Sequence, residues 1–243
     1  MVNMTAPMLS NDPLIHRLQR FHPLSSDDIH ALERLSAVPR RRLRARTEFL
    51  SEGDRPGQVS ILHEGWACKL VMLPDGRRQI AGFLLPGDLL WRPAGDVRLD
   101  YSVQALTEVS IIPIGAAAFE FQFAARPALA TALAVRDRVE EAIQRRWLVN
   151  LGQRSALERI GHLFCELHHR LDAIGLVDGT GFAFPVTQVE LGEATGLTPV
   201  HVNRTLRALR HQGLIDLESR TLRLPQPAEL AQRTLFDPGY LEP

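Results

Sequence analysis

The sequence predicts an α+β protein built from an N-terminal antiparallel β-roll of the cupin-like jelly-roll type, a long helix and a C-terminal winged helix-turn-helix. Three observations support this. Short strand-like runs separated by glycine turns fill residues 40–114. Apolar residues then recur at helical spacing after Pro127, and two helix-start signals followed by a hairpin pattern occupy Thr187 to Leu224. The predicted domains are residues 1–125, 126–152 and 153–243.

Composition sets the outer bounds on the protein. A chain of 243 residues with 45% hydrophobic residues is long enough for two cores. No stretch approaches the roughly 20 apolar residues of a membrane span, and the first residues lack the pattern of a secretory signal. We therefore expect a cytoplasmic protein with no membrane partner. Cys68 and Cys165 form no CxxC pair, so the sequence suggests neither a disulfide framework nor a cysteine-ligated cluster.

The N-terminal third begins with helical patterns and continues with strands. Within residues 1–36, Leu14, Ile15 and Leu18 predict one short helix, and Ser25 or Ser26 caps a second. Glycine turns then punctuate the strand-like runs at regular spacing, which is typical of an antiparallel barrel or roll. These turns are Glu52-Gly53-Asp54, Glu64-Gly65, Pro74-Asp75-Gly76 and Pro86-Gly87-Asp88.

A basic run opens the roll. Residues 40–46 read Arg-Arg-Arg-Leu-Arg-Ala-Arg. The run could contact DNA, but the alternation around Leu43 and Ala45 also fits an exposed edge strand protected by charge. We favour the edge strand.

The helix after Pro127 carries two interleaved apolar rows. One row would suffice to dock the helix on its own roll, and the second indicates a partner helix, most simply that of a second subunit. The alternative is one helix buried on two sides within a single subunit. The residues expected at the dimer contact are Leu129, Ala132, Leu133, Val139, Ile143 and Trp147.

Two helix-start signals define the C-terminal motif. Thr187 and Glu190 have the spacing of a reciprocal capping box, and Gly196 supplies a left-handed helix end. This helix should bury Val189, Leu191 and Ala194. Thr198 then caps a second helix with Pro199 at its first position, running to about Gln212. The segments on either side of Glu218-Ser219-Arg220 predict a two-stranded wing.

The second of these helices is basic, although the chain holds 28 basic and 28 acidic residues and has no formal net charge. Three arginines and two histidines lie on it, with no carboxylate, and this local positive charge favours phosphate. The alternative is an ordinary helical hairpin with solvated arginines. The side chains expected to contact DNA are Thr187, Gln188, Thr198, Pro199, Val200, His201, Asn203, Arg204, Arg207, Arg210 and Arg220.

Other candidate sites are weaker. His162, Cys165, Glu166 and His169 share one face of the helix that Ser155 caps, and they could hold a metal. We favour a solvated helix face for them, and strand packing for His63 and Cys68. The sequence contains no GxGxxG, P-loop, GxSxG or HExxH motif. We therefore expect no enzyme, and we identify no metal and no cofactor.

Together these motifs resemble the Crp/Fnr family of bacterial transcription regulators over nearly the whole chain. The resemblance is most specific in Leu197-Thr198, Asn203-Arg204 and Gly213-Leu214-Ile215, with Pro86-Gly87-Asp88-Leu89 in the roll. It implies a homodimer on a two-fold operator in double-stranded DNA, with recognition helices in successive major grooves about 34 Å apart. The roll would sense a signal that the long helix transmits, and RNA polymerase is a further candidate partner.

The sequence departs from the cyclic-nucleotide members of that family. Their phosphate-binding segment is replaced by Trp91 to Asp96, and Leu99-Asp100 stands where the family has Arg-Ser. Leucine cannot form the charged bidentate contact, and Asp100 would repel a phosphate. Arg92 or Arg98 could substitute, but we do not expect cyclic AMP to bind tightly. The oxygen-sensing cysteine cluster is absent from the N-terminal region, so the effector stays open.

The recognition helix also differs from the best-known members. Val200 stands where they often have a glutamate, whereas Arg204 matches the arginine that reads guanine. The operator half-site should therefore differ from theirs.

Two alternatives belong to other functional classes. The first is a cupin-like enzyme, which needs clustered histidines, whereas His63 is the only histidine between Arg40 and Ile114. The second is a cytoplasmic ligand-binding adaptor whose helical domain binds protein rather than DNA. A salt-dependent shift of a promoter fragment distinguishes DNA binding from the adaptor.

Overall fold

The computed structural model describes residues 12–92 and 97–243. The first eleven residues of the predicted helical segment, and Pro93 to Asp96 of the altered loop, lie outside the described residues. The two predicted N-terminal helices are confirmed as α1 (Pro13–Phe21) and α2 (Ser26–Ser36). Ser25 caps α2 in a reciprocal box with Asp28, so the backbone N–H groups at that helix end are satisfied.

Within the described residues, eight strands form the β-roll as two four-stranded antiparallel sheets. The sheet orders are β1-β8-β3-β6 and β2-β7-β4-β5. The apolar faces of the sheets form the interior, and Leu62, Leu90 and Val103 are among its fully buried side chains. The strands are β1 (Arg41–Leu43), β2 (Glu48–Leu50), β3 (Gln58–Glu64), β4 (Ala67–Met72), β5 (Arg78–Leu84), β6 (Leu89–Trp91), β7 (Ser102–Ala105) and β8 (Val109–Gly115).

Two sequence features of the roll are confirmed. Strand β1 pairs with β8 at one edge of its sheet, and Arg41 and Arg42 are exposed there, as expected of a charged edge strand. Gly87 has φ +86°, and a Cβ at this position would collide with the backbone carbonyl of Pro13 in α1. The turn therefore requires glycine because α1 lies directly against it.

After α3 (Ala116–Ala124), the long helix α4 (Pro127–Gln153) packs against both halves of the molecule. Its N-terminal half joins the cluster formed by α1 and the roll, and its C-terminal half joins the cluster formed with the C-terminal domain. This arrangement corrects one expectation. The side chains expected at a dimer contact are all buried within the chain itself: Leu129, Ala132, Leu133, Val139, Ile143 and Trp147.

The physical reason is that two parts of the molecule cover α4, the roll with α1 and the C-terminal domain. The roll is only one of the surfaces that bury α4, because α1, α3, α5 (Ala156–Asp172) and the C-terminal residues Pro238–Leu241 also pack against it. The alternative of a helix buried on two sides within one subunit describes these positions.

The C-terminal domain is a winged helix-turn-helix, and its fold matches the prediction. A three-stranded sheet of order β10-β11-β9 adds one strand to the predicted two-stranded wing. The elements after α5 are β9 (Gly181–Ala183), α6 (Gln188–Thr195), α7 (Pro199–His211), β10 (Asp216–Glu218), β11 (Thr221–Arg223) and α8 (Pro227–Arg233), followed by a 3₁₀ turn (Pro238–Leu241).

This domain is packed against the roll. Trp66 of the roll meets Phe184 edge to face, with ring centroids 6.2 Å apart. Arg78 of β5 donates from Nη2 to Glu193 of α6 at 2.8 Å and from Nε at 3.1 Å. These contacts place the helix-turn-helix beside the β4–β5 hairpin. Within the described residues, no helix is long and apolar enough to cross a membrane.

Candidate nucleic-acid interface

Helix α6 begins and ends as its sequence predicts. The Thr187 hydroxyl accepts the Glu190 N–H at 3.3 Å, and the Glu190 carboxylate accepts the Thr187 N–H at 2.8 Å. Gly196 ends the helix at φ +65°. Leu191 and Ala194 are buried, but Val189 is 54% exposed, so the prediction that Val189 belongs to the core is wrong. Val189 instead lines the groove between α6 and the β4–β5 hairpin.

Helix α7 separates a buried face from a polar one. Thr198 caps it by accepting the His201 N–H at 3.3 Å, and Pro199 occupies the first turn. Val202, Leu206 and Leu209 form the inner face, as predicted. Of the residues predicted to contact DNA, all are exposed except Asn203, which is half-buried and donates to Gln188 Oε1 at 3.2 Å. That hydrogen bond joins the two helices at the predicted contact surface.

The exposed face of α7 has an uncompensated positive charge. Among the described residues, Arg204 and Arg207 have no ion-pair or hydrogen-bond partner. Arg210 donates from Nη2 to the Leu217 carbonyl at 3.3 Å, which ties the helix to the wing. Arginine side chains free of carboxylates can bind phosphate or a guanine edge without first breaking an ion pair.

The wing presents Arg220 at its tip. Ser219 and Arg220 both have positive φ, 48° and 61°, between the paired strands β10 and β11. Two consecutive residues of this kind form the tight turn that matches the twist of a hairpin. The turn leaves the Arg220 side chain exposed.

The structure adds neighbours that the sequence did not indicate. A groove of ≈ 790 Å³ runs between the β4–β5 hairpin and the start of α7, with Leu73 and Arg77 on one wall and Leu197 and Pro199 on the other. Arg46 of the roll forms an ion pair with Glu190 of α6. The opposite charges of Arg46 and Glu190 were the only sequence signal for this ion pair. Opposite charge alone does not identify partners that are more than a hundred residues apart in the chain.

The face of α5 that the sequence assigned to solvent is buried. His162, Cys165 and Glu166 are all inaccessible, and His169 is half-buried, so the expectation of a solvated face is wrong. The C-terminal segment and α4 cover it: the Tyr240 hydroxyl donates to Glu166 Oε2 at 2.8 Å, and Trp147 Nε1 of α4 donates to Glu166 Oε1 at 3.1 Å. Among the described residues, no three metal-ligating side chains group together.

Burial determines the titration of these side chains. Desolvation, with smaller contributions from Arg154 and Arg146, lowers the pKa of His162 to about 3. Burial likewise raises the pKa of the Cys68 and Cys165 thiols to about 12. Both thiols are therefore unreactive core groups. His63 packs in β3, and burial lowers its pKa.

The position of the family's phosphate clamp is filled by the core of the roll. Leu99 is 2% exposed, and its backbone pairs with the Gly53–Asp54 turn in both directions, at 2.8 and 3.0 Å. Arg98 donates to the Gly53 carbonyl at 3.1 Å, and Arg92 pairs with Asp137 of α4 at 2.8 Å. The two arginines that could replace the clamp are thus engaged with protein groups.

Comparison with known proteins agrees with this architecture. Residues 40–126 match the cyclic nucleotide-binding domain model, and residues 158–233 match the Crp-like helix-turn-helix domain model. The chain is 30% identical over 198 residues to the transcriptional activator protein FnrL of Cereibacter sphaeroides, covering 80% of this chain and 79% of FnrL. It is 32% identical over 187 residues to the nitrogen fixation regulation protein FixK of Bradyrhizobium diazoefficiens, covering 76% of each.

Solved structures show the same fold. FixK2 from Bradyrhizobium japonicum superposes with a TM-score of 0.70 at 23% identity, covering 80% of this chain and 96% of that one. The c-di-GMP responsive regulator CLP of Xanthomonas campestris superposes with a TM-score of 0.62 at 18% identity, covering 82% and 99%. Both domain models match this chain and its relative FnrL is a transcriptional activator, so the chain belongs to the Crp/Fnr family of bacterial transcription regulators.

Proposed function

We propose that this regulator reads a two-fold operator in double-stranded DNA with the exposed face of α7. The observation that carries the proposal is the pair Arg204 and Arg207, which are exposed on a helix without carboxylates and have no protein partner among the described residues. Unpaired guanidinium groups on the exposed face of such a helix fit a DNA major groove.

Each exposed residue has an expected role. Arg204 would contact guanine through O6 and N7, and Asn203 an adenine or a phosphate. Val200, which is 77% exposed, would rest with Pro199 against a thymine methyl group. The remaining residues would contact phosphate and add affinity without sequence information. They are Thr187, Gln188, Thr198, His201, Arg207, Arg210 and Arg220.

We propose that the homodimer forms through a different face of α4 from the one the sequence indicated. Ala130, Ala134, Asp137, Glu141, Gln144 and Leu148 follow one another at alternating steps of four and three residues. All are exposed except the half-buried Asp137, and Leu148 is 73% exposed. That spacing matches the a and d positions that form the seam of a two-stranded coiled coil, with Ala130, Ala134 and Leu148 as its apolar members, so two copies of α4 would pack along it.

We assign to each of the three segments the role that its resemblance to the family implies. Residues 1–125 would form the sensor, 126–152 the dimerisation helix and 153–243 the DNA-binding domain, acting in the cytoplasm where the chromosome lies. The effector is a small molecule other than cyclic AMP, or none. RNA polymerase is the partner that a DNA-bound regulator of this kind would contact.

The test is to incubate the full chain with sheared genomic DNA, sequence the retained fragments and measure binding to a recovered fragment at several salt concentrations. We expect a two-fold motif and an affinity that falls with salt. Arg204→Ala/Arg207→Ala should abolish retention, whereas Arg34→Ala, an exposed arginine on α2, should not. The absence of salt-dependent binding would favour the adaptor function, and retention without any shared motif would mean non-specific DNA binding; either result would overturn the proposal.

A further inference from the structure

The edge strand of the roll carries a cluster of exposed arginines, here called the roll basic edge: Arg40, Arg41, Arg42 and Arg44. In the part of the chain that the structure describes, its single acidic partner is Glu108, 3.9 Å from Arg42. Both side chains of that pair are more than 70% exposed, so the ion pair contributes little. The edge is therefore positively charged in a chain without net charge.

The end of this run contacts the DNA-binding domain. Arg46 forms an ion pair with Glu190, the carboxylate of the α6 capping box. The Arg46 N–H donates to the Ala105 carbonyl at 2.8 Å, which fixes the β1–β2 turn on the roll. The turn is thus held against the first turn of α6.

The same first turn of α6 is where the proposed function places DNA phosphate. Thr187 and Gln188 are exposed there, at a helix N-terminus whose dipole favours an anion. A phosphate chain that reaches these residues passes beside the turn that carries Arg46, and the roll basic edge continues from that turn.

The edge presents its charge along an extended backbone. Arg41 and Arg42 belong to β1, Arg40 and Arg44 flank it, and all four side chains are exposed. Extended backbone rises about 3.3 Å per residue, so the run spans roughly 13 Å. Arginine side chains distributed over that length can contact more than one phosphate of a DNA backbone.

We propose that the roll basic edge binds the phosphate backbone of DNA flanking each operator half-site, so that the sensor domain itself contributes to DNA affinity. This inference rests on the proposed function and extends it to a second surface. The DNA need not have any particular sequence here, because only phosphates are contacted. The edge adds affinity and salt dependence, and α7 retains the specificity.

The experiment compares two duplexes that share one operator. The short duplex ends at the half-site boundaries, and the long duplex continues for roughly one helical turn, about 10 base pairs, on each side. The full-length protein binds each duplex in a fluorescence anisotropy titration across a salt series. We expect the long duplex to bind about tenfold tighter at low salt, with a salt slope steeper by about 0.9 for each added phosphate contact.

Variants distinguish the contribution of the roll basic edge to DNA affinity from that of α7. Arg42→Ala/Arg44→Ala should lose the advantage of the long duplex and keep the wild-type affinity for the short one. Arg42→Lys/Arg44→Lys should retain the advantage, because a phosphate contact needs charge more than guanidinium geometry. Arg77→Ala is the matched control, since Arg77 is an exposed arginine of the roll that pairs with its neighbour Asp75.

Equal affinity of the wild type for both duplexes would overturn the inference while leaving the proposed function intact. A length advantage that survives Arg42→Ala/Arg44→Ala would overturn it too. If that variant instead bound both duplexes normally but failed to activate or repress transcription with purified polymerase, the edge would be a protein-binding surface. Failure of the wild type to prefer the operator over random DNA would contradict the proposed function itself.

Discussion

Arg170 of α5 donates from Nη2 to Asp88 Oδ2 at 2.9 Å, while Arg17 of α1 places Nε 3.2 Å from Oδ1 of the same carboxylate. Asp88 belongs to the Pro86-Gly87-Asp88 turn, and all three side chains are buried. One carboxylate of the roll therefore links an N-terminal helix to the first helix of the DNA-binding domain. The Leu85 N–H completes its hydrogen bonds at 2.8 Å.

Asp88→Ala should destabilise the protein by about 3–5 kcal/mol, because it leaves the buried Arg17 without its ion-pair partner and Arg170 with only the more distant Glu166. Urea unfolding followed by tryptophan fluorescence measures the free energy of unfolding, since Trp66 and Trp147 both lie in the core shared by the roll, α4 and the C-terminal domain. Asp75→Ala removes an exposed carboxylate that also pairs with an arginine. It should change stability by less than about 0.5 kcal/mol. Equal effects of the two substitutions would show that Asp88 does not hold α1 and α5 against the roll in solution.

Arg204→Ala should relax the preference at one guanine in each half-site, a contact worth about 1–3 kcal/mol of discrimination. Arg207→Ala is the matched control because Arg207 is exposed one turn further along α7, where phosphate is the expected partner. It should weaken all sequences about equally, as should Arg210→Ala. Selection from a randomised DNA pool distinguishes these effects. An unchanged motif for Arg204→Ala would mean that this face of α7 does not enter the major groove.

Leu148→Asp should dissociate the dimer, because it replaces the one large apolar side chain among the six proposed seam residues with a carboxylate in each subunit. Light scattering should report twice the mass of one chain for the wild type at micromolar concentration and a single chain for the variant. Leu235→Asp changes a leucine that is similarly exposed but lies outside α4, and it should remain dimeric. A dimer that survives Leu148→Asp would place the subunit contact elsewhere.

Acid should destabilise the protein through His162. The unfolded imidazole has a pKa of about 6.5, and burial lowers the folded value to about 3, so the unfolded chain binds the extra proton between these values. This contribution to stability is complete above the unfolded pKa and falls by up to about 1.4 kcal/mol per pH unit as the pH decreases below it.

His162→Phe should reduce this acid sensitivity, because phenylalanine can keep the ring contacts with Phe236 and Tyr240 and has no proton to bind. Thermal unfolding between pH 5 and 7.5 measures the effect. Parallel curves for the wild type and His162→Phe would contradict the prediction.

Cyclic AMP should neither bind in the submicromolar range nor be needed for DNA binding. Leu99 is packed in the core and Asp100 is exposed beside it, so this stretch offers no cation to the cyclic phosphate. Isothermal calorimetry tests the prediction, with a cyclic-nucleotide-binding regulator of the same family as the positive control. Tight binding would show that the segment containing Arg92 and Arg98 rebuilds the site.

Local sequence signals predicted the elements of this fold well. Capping residues and glycine turns act over a few positions, and so the start of α6 at Thr187 and its end at Gly196 could be located from the chain alone. The inner face of α7 followed from the period of its leucines. The family fold came from combinations of such signals.

Long-range packing could not be predicted in the same way. The burial of α5 on several faces depends on Tyr240, which lies 74 residues from its partner Glu166. The covering of α4 depends on α1 and α5 together. A helical wheel shows which residues share a face, but it does not show how many neighbours cover the helix, and this is why His162 and Trp147 were assigned to the wrong surroundings.

The shared carboxylate at Asp88 limits how this protein can be divided or recombined. A fragment holding only residues 153–243 would keep Arg170 with Glu166 but lose the closer ion pair to Asp88, and a fragment holding residues 1–125 would keep Asp88 with Arg17 alone. A chimera that takes its sensor from another regulator would have to bring an acidic residue to the same turn. The compatibility of two modules is therefore set by the charges they bury between them, which a comparison of each module by itself would not reveal.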